Sequence, residues 1–216
     1  MPSLLEFWEE LPEFCGRVAL SPEELLPFFC ACADPPRFGT DVNRYPEQLE
    51  QLAKFSLPRD GRLLDLGCGV GLGTLEALVR LGLTAAVGVT QEPLEAWMAQ
   101  NRVLPHDPVR MRHFVGYGNV PAQFHAGNLL EMRGEGGFAV ILCNGLAGGR
   151  FLHGEQVLLR LLKVLQAQLA PDGVVALANH FHEGRRPQVE KLLALARQTG
   201  WRVAGTWQNA FLTEIF

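Results

Sequence analysis

A chain of 216 residues with 48% hydrophobic side chains is long enough for one domain with a sizeable core. Its net charge of −4 lacks the basic footprint that nucleic-acid binding leaves, so a nucleic-acid partner is not expected. No apolar run reaches the roughly 20 residues of a bilayer span, and the start, "MPSLLEFWEELPEF", carries acids where a secretion signal would be basic.

The five cysteines, Cys15, Cys30, Cys32, Cys68 and Cys143, are odd in number and lack the spacing of a secreted disulfide framework. They read as reduced thiols in a cytoplasmic protein. Cys30-Ala-Cys32 is spaced for a metal or redox pair, but no second pair follows, and packing within a helix explains it as well.

Residues 1–58 read as a helical cap, or a lid over the pocket, broken by prolines. Ser21-Pro22-Glu23-Glu24 and Tyr45-Pro46-Glu47 both have the form of a helix start, with proline in the first turn and acids facing the dipole. Residues 59–216 change character. "GRLLDLGCG" is a short apolar strand ending in glycines, and "TLEALVRLG" is a helix stopping at Gly82. "TAAVGV" is a second strand, followed by a helix opened by Pro93, then a helical turn or two over "PVRMRHFVGYG". "AQFHAG" and "FAVILC" are the third and fourth strands, and "GEQVLLRLLKVLQAQLA" is a long helix. Pro171-Asp172-Gly173 turns into the fifth strand, "GVVALAN". A helix over 187–199 ends at Gly200, and "WRVAGTW" and "FLTEIF" form a final hairpin. Alternation of strands and helices predicts an α/β fold. Its sheet is doubly wound, seven-stranded and mostly parallel, with an antiparallel C-terminal edge strand.

The turn "LLDLGCGVGLG" is the strongest signal. Its glycines, at 67, 69, 71 and 73, fit no register of G-x-G-x-x-G, which disfavours a dinucleotide, and there is no P-loop. Asp65 stands two residues before the first glycine. A carboxylate there would repel a phosphate but suits a ligand with an ammonium group.

With this D-x-G-x-G-x-G turn the chain resembles the class I S-adenosylmethionine-dependent methyltransferases, whose first motif has the same form. The likeness runs over residues 61–216, roughly three quarters of the chain. It implies S-adenosylmethionine as cofactor and S-adenosylhomocysteine as product. Gly67, Gly69 and Gly71, with Cys68 in the same turn, would let the backbone approach the cofactor. Asp65 would order the turn's amides or meet the methionyl amino group. Asn128 in "FHAGNLL" falls where the family has an acid that reads adenine, and an amide can still accept from the adenine amino group. Leu129 would pack on the ring, and Cys143 and Asn144 would lie beside the sulfonium.

One family feature is missing. The end of the second strand, "VGVTQEP", holds Thr90 where a ribose-binding acid is usual. Gln91 and Glu92 are the nearest substitutes, and Glu92 could equally serve as an acid at its helix start. "GVTQEP" is also similar to the "GVTLS" of cyclopropane fatty-acid synthases, where a threonine takes this place.

Methyl transfer asks an enzyme to align the acceptor and, where needed, take its proton. His153 before the long helix, and His180 and His182 after the fifth strand, are candidate bases. His180-x-His182 with Glu183 could instead recruit a metal, or the histidines could simply pack. The [DNS]-P-P-[YF] motif of amino-methyltransferases acting on DNA and glutamine is replaced by "CNGL", which argues against a nucleobase amine. The expected activity is methyl transfer to a small molecule or a protein side chain. The alternatives are a carboxyl methyltransferase of the chemotaxis-receptor kind and a non-catalytic cofactor-binding regulatory protein.

Overall fold

The computed structural model describes residues 41–58, 60–104, 107–134, 136–149, 152–179 and 181–214. Most of the expected N-terminal cap, including the helix start at Ser21 and Cys30-Ala-Cys32, lies outside them. From 41–58 comes α1 (Pro46–Leu52), with proline in its first turn and Glu47 facing the dipole.

The strands are β1 (Arg62–Leu66), β2 (Ala85–Thr90), β3 (Ala122–Ala126), β4 (Phe138–Leu142), β5 (Leu169–Ala178), β6 (Trp201–Gly205) and β7 (Asn209–Glu214). The longer helices between them are α2 (Leu72–Leu81), α3 (Pro93–Asn101), α5 (Glu155–Gln168) and α6 (Arg186–Gln198), with a single turn α4 (Pro108–Met111). The seven-stranded sheet has the order β3-β2-β1-β4-β5-β7-β6. β1 to β5 pair in parallel, whereas β7 is antiparallel to both β5 and β6. The antiparallel strand expected at the edge therefore sits one place in from it, because the hairpin folds back between β5 and β6.

Strand alternation divides the core. Leu64, Leu66, Ile141, Val175 and Leu177 pack with α5 and α6 on one face. Leu63, Val140, Leu142, Val174 and Ala176 pack with α1 and α2 on the other. Gly82 caps α2 in the left-handed conformation, with φ 64° and its N–H on the Leu78 and Val79 carbonyls, which is why the helix stops there. The turn at Pro171-Asp172-Gly173 interrupts β5: pairing steps from Phe138–Leu169 to Val140–Val174, and Asp172 takes φ 61°. Among the described residues no helix is long and apolar enough to cross a membrane.

The order of the sheet matters for function. It puts the carboxyl ends of β2 and β3 on one flank of the β1 glycine turn and those of β4 and β5 on the other. Open parallel sheets bind ligands in such a crevice.

Candidate functional site

A cavity of ≈ 540 Å³ opens at this crevice, reaching from Thr90 and Asn128 on one flank to Gly145 and His182 on the other. Its floor is the glycine turn. Gly67 has φ 77° and Gly71 has φ 80°. A Cβ on Gly67 would stand 2.6 Å from Leu146 Cδ2, and one on Gly71 2.6 Å from Phe124 Cε1. Only glycine fits both the backbone and the space. The turn is held to β2 by the Gly67 and Cys68 N–H groups, which donate to the Val89 carbonyl at 2.7 and 3.1 Å.

Asp65, the penultimate residue of β1, is buried beneath this floor. Its Oδ2 accepts from the Thr74 hydroxyl at 2.5 Å. Burial pushes its pKa up to about 7, with the Thr74 bond pulling the other way. It lines a small hollow shared with Arg44, Tyr45 and Gly67 rather than the main cavity.

On the β2 flank the Thr90 hydroxyl donates to Glu95 Oε2 at 2.6 Å. Glu95 is buried within the first turn of α3 and faces the cavity. Burial raises its pKa, offset by the Thr90 bond, with the nearby Glu92 charge adding to the rise. Gln91 and Glu92 are exposed at the rim. Asn128 caps a short 3-10 turn: its Oδ1 accepts from Leu130 N at 3.0 Å and its amide donates to Glu131 at 3.0 Å.

The β4 flank is built from distant segments. The amides of Gln48 on α1 and Asn144 after β4 bond reciprocally, at 2.9 and 2.8 Å. Asn144 Oδ1 also accepts from Ala178 N at 2.8 Å. This pair, with Asn43 N donating to Glu76 Oε2 at 2.6 Å, fixes the 43–48 segment over the site. A Cβ on Gly145 would lie 3.1 Å from His182 Nε2 and 3.7 Å from the Tyr45 hydroxyl, so both groups converge there. Arg185 Nη1 donates to the Gly145 carbonyl at 2.5 Å. Arg44 lies over the Phe181 ring at 4.4 Å, and the Tyr45 and Phe181 rings meet edge-on at 5.8 Å.

No protein-family model and no curated protein matches the sequence. Solved structures do match the fold. A TehB-like S-adenosylmethionine-dependent methyltransferase from Corynebacterium glutamicum has TM-score 0.58 at 20% identity, over 82% of this chain and 90% of that one. A methyltransferase from Thiobacillus denitrificans, in complex with S-adenosylhomocysteine, has TM-score 0.53 at 18% identity, over 87% of this chain and 74% of that one. This chain has the class I methyltransferase fold.

Within this methyltransferase fold, Gly67, Gly69, Thr90, Gln91, Glu92, Asn128, Leu129, Asn144 and His182 line one cavity. Other expected residues do not line it, Gly71 among them, which packs against Phe124 in the core. Cys68 and Cys143 are fully buried and their side chains enter different parts of the core, although each is next to a site residue, Gly67 or Asn144. Burial keeps both thiols protonated, Cys143 with a pKa of about 12. His153 is exposed, with Nδ1 3.2 Å from the Gly149 carbonyl, and is not part of the cavity wall. His180 lies outside the described residues. Among the described residues no group of three candidate ligands could hold a metal.

Glu95, Gln48, Arg44, Tyr45 and Arg185 escaped the sequence reading. Only Glu95 left a local signal: a carboxylate five residues after Thr90, in the first turn of a helix that starts at Pro93. A second hollow of ≈ 560 Å³ opens where the β3–β4 crossover carries only a 3-10 turn. It runs from Asn128 back to Arg62, at the opposite end of β1, and lacks the glycine turn.

Proposed function

We propose that this protein is an S-adenosylmethionine-dependent methyltransferase acting on a small molecule. The observation that carries the reading is one cavity in which the glycine turn, the Thr90–Glu95 pair and Asn128 meet. The residues fit the cofactor's chemistry. A side chain at Gly67 would press on Leu146 in the cavity wall, space the turn must leave clear. Glu95 supplies a carboxyl group at the end of β2, where a ribose needs an acceptor for its hydroxyls. It is bonded through Oε2 to Thr90, which leaves Oε1 for a ligand.

When bound, S-adenosylmethionine supplies a methyl group already activated by its positive sulfur. Glu95 accepts from the ribose hydroxyls, and Thr90 holds the carboxyl in place. Asn128 Oδ1 keeps a lone pair for the adenine amino group beyond its bond to Leu130. Leu129 covers the ring. Asp65, when ionised, favours the ammonium end electrostatically through Gly67 and Tyr45. His182, beside Gly145, stands where the acceptor enters and takes a proton from an acceptor that must lose one. The walls exclude water and fix the line of approach.

The non-catalytic alternative drew on Thr90 and Asn128 standing where the family has acids; Glu95 supplies an acid beside Thr90, and Asn128 keeps an acceptor oxygen. Isothermal titration calorimetry with S-adenosylmethionine and S-adenosylhomocysteine tests the reading. Saturable binding of both with one site per chain is expected; no binding of either would overturn it.

A further inference from the structure

The acceptor's chemical class is written in the charge of the β4–β5 flank. We propose that the acceptor is a small molecule carrying an oxyanion, a carboxylate or a phosphate, gripped between Arg44 and Arg185. This rests on the methyltransferase reading above.

The two flanks differ in sign. The acids that line the cavity, Glu92 and Glu95, stand at the end of β2 and the start of α3. The guanidinium groups lining it, Arg44 and Arg185, stand on the far side of the glycine turn, around Gly145. Neither arginine has a carboxylate within 4.0 Å among the described residues, although Arg80, Arg110 and Arg186 all do.

Both cavity arginines are held by other groups, Arg44 beside a small hollow that Asp41, Asp65 and Glu76 also line. Arg44 lies against two rings, 4.4 Å from the Phe181 centroid and 5.9 Å from that of Tyr45. Its Nε is buried and makes no hydrogen bond among the described residues. Arg185 uses Nη1 on the Gly145 carbonyl. A guanidinium carries five N–H donors in a planar fork; Arg44 also bonds the Tyr45 side chain, and each arginine keeps Nη donors for a ligand. Forks of this kind match carboxylate and phosphate oxygens in pairs. The Tyr45 hydroxyl and His182 Nε2 stand beside the same glycine, adding polar groups at hydrogen-bonding reach of a ligand placed there. The grip lies inside a cavity on a chain of net charge −4, which favours a small anion over a polyanionic surface.

Calorimetry on the protein saturated with S-adenosylhomocysteine tests this, with benzoate, phenyl phosphate and benzamide as probes. Filling the cofactor site first removes the cofactor's own carboxylate as a competitor. At least one anion is expected to bind and neutral benzamide is not; the tighter anion names the oxyanion. Arg44→Met and Arg185→Gln should each weaken that anion at least tenfold while keeping S-adenosylhomocysteine affinity. Arg44→Lys and Arg185→Lys, which keep the charge and lose the fork, should fall between these and the wild type. Arg186→Gln, on the exposed surface, should change nothing.

The proposal fails if neither anion binds, if benzamide binds as well as they do, or if the substitutions weaken S-adenosylhomocysteine and spare the probes. The last result would assign the arginines to the cofactor's carboxylate. Loss of S-adenosylhomocysteine binding by the wild-type protein would instead strike the methyltransferase reading, and this inference with it.

Discussion

The two flanks of the cavity are built by different means. The β2 flank is local: Thr90, Glu95 and the glycine turn span residues 67–95, and their polar groups bond partners within that span. The β4 flank is assembled at long range. Arg44 and Tyr45 precede the sheet, Gly145 follows β4, and His182 and Arg185 follow β5. A local flank suits a cofactor common to many enzymes of one fold, and a long-range flank is free to vary with the acceptor.

The comparison can be broken first at the floor. Gly67→Val places a branched side chain at φ 77° and against Leu146. It is expected to lower S-adenosylhomocysteine affinity by ~100-fold, about 2.7 kcal/mol, in calorimetry. Next is the local flank's acid. Glu95→Ala removes a buried acceptor and leaves the Thr90 hydroxyl without it, for a loss of about 1.5–3 kcal/mol in binding. Glu92→Ala, at the exposed rim, should cost far less, and equal losses at the two would return Glu92 to the ribose.

Asp65 sharpens the comparison through pH. Its folded pKa of about 7 lies above the ordinary 3.8, so folding favours the protonated form. Its contribution to the stability of the ligand-free protein is therefore greatest at low pH and declines as pH rises from about 3.8 to 7. Cofactor binding runs the opposite way, since an ionised Asp65 attracts the ammonium group. Affinity should rise about tenfold between pH 5.5 and 8.5, provided the folded protein binds through that charge. Asp65→Asn should flatten this dependence and raise the Tm of the ligand-free protein at pH 8 by about 3 °C or more. A pH profile unchanged by Asp65→Asn would detach this residue from the cofactor. The smallest effect is expected at His153. His153→Ala should leave both Tm and S-adenosylhomocysteine affinity unchanged within error, because that ring is exposed and outside the cavity wall.

What the sequence made legible follows the same division. Glycines and an acid set close together by covalent geometry revealed the turn, and hydrophobic runs of the right length revealed the alternation of strands and helices. The position of β7 was hidden, because a hairpin pattern fixes which strands are antiparallel but not whether the second folds outside or inside the first. Cys68 and Cys143 were adjacent to site residues in sequence, yet the fold buries both side chains in the core. Glu95 was overshadowed by Glu92. Proximity along the chain favours Glu92, but the first helical turn swings the residue three places later back onto Thr90. Arg44, Tyr45, Gln48 and Arg185 carried no motif at all. Their meeting depends on α1 docking across the ends of β4 and β5 through the Gln48–Asn144 pair, a contact 96 residues apart.

The central claim is that the cofactor lies over the glycine turn with its ribose on Glu95. A crystal structure of the complex with S-adenosylhomocysteine tests it most directly. The ribose hydroxyls should lie within hydrogen-bonding distance of the Glu95 carboxyl group, with adenine beside Asn128 and Leu129. A ligand seated instead in the hollow between Asn128 and Arg62, away from Glu95, would contradict the claim.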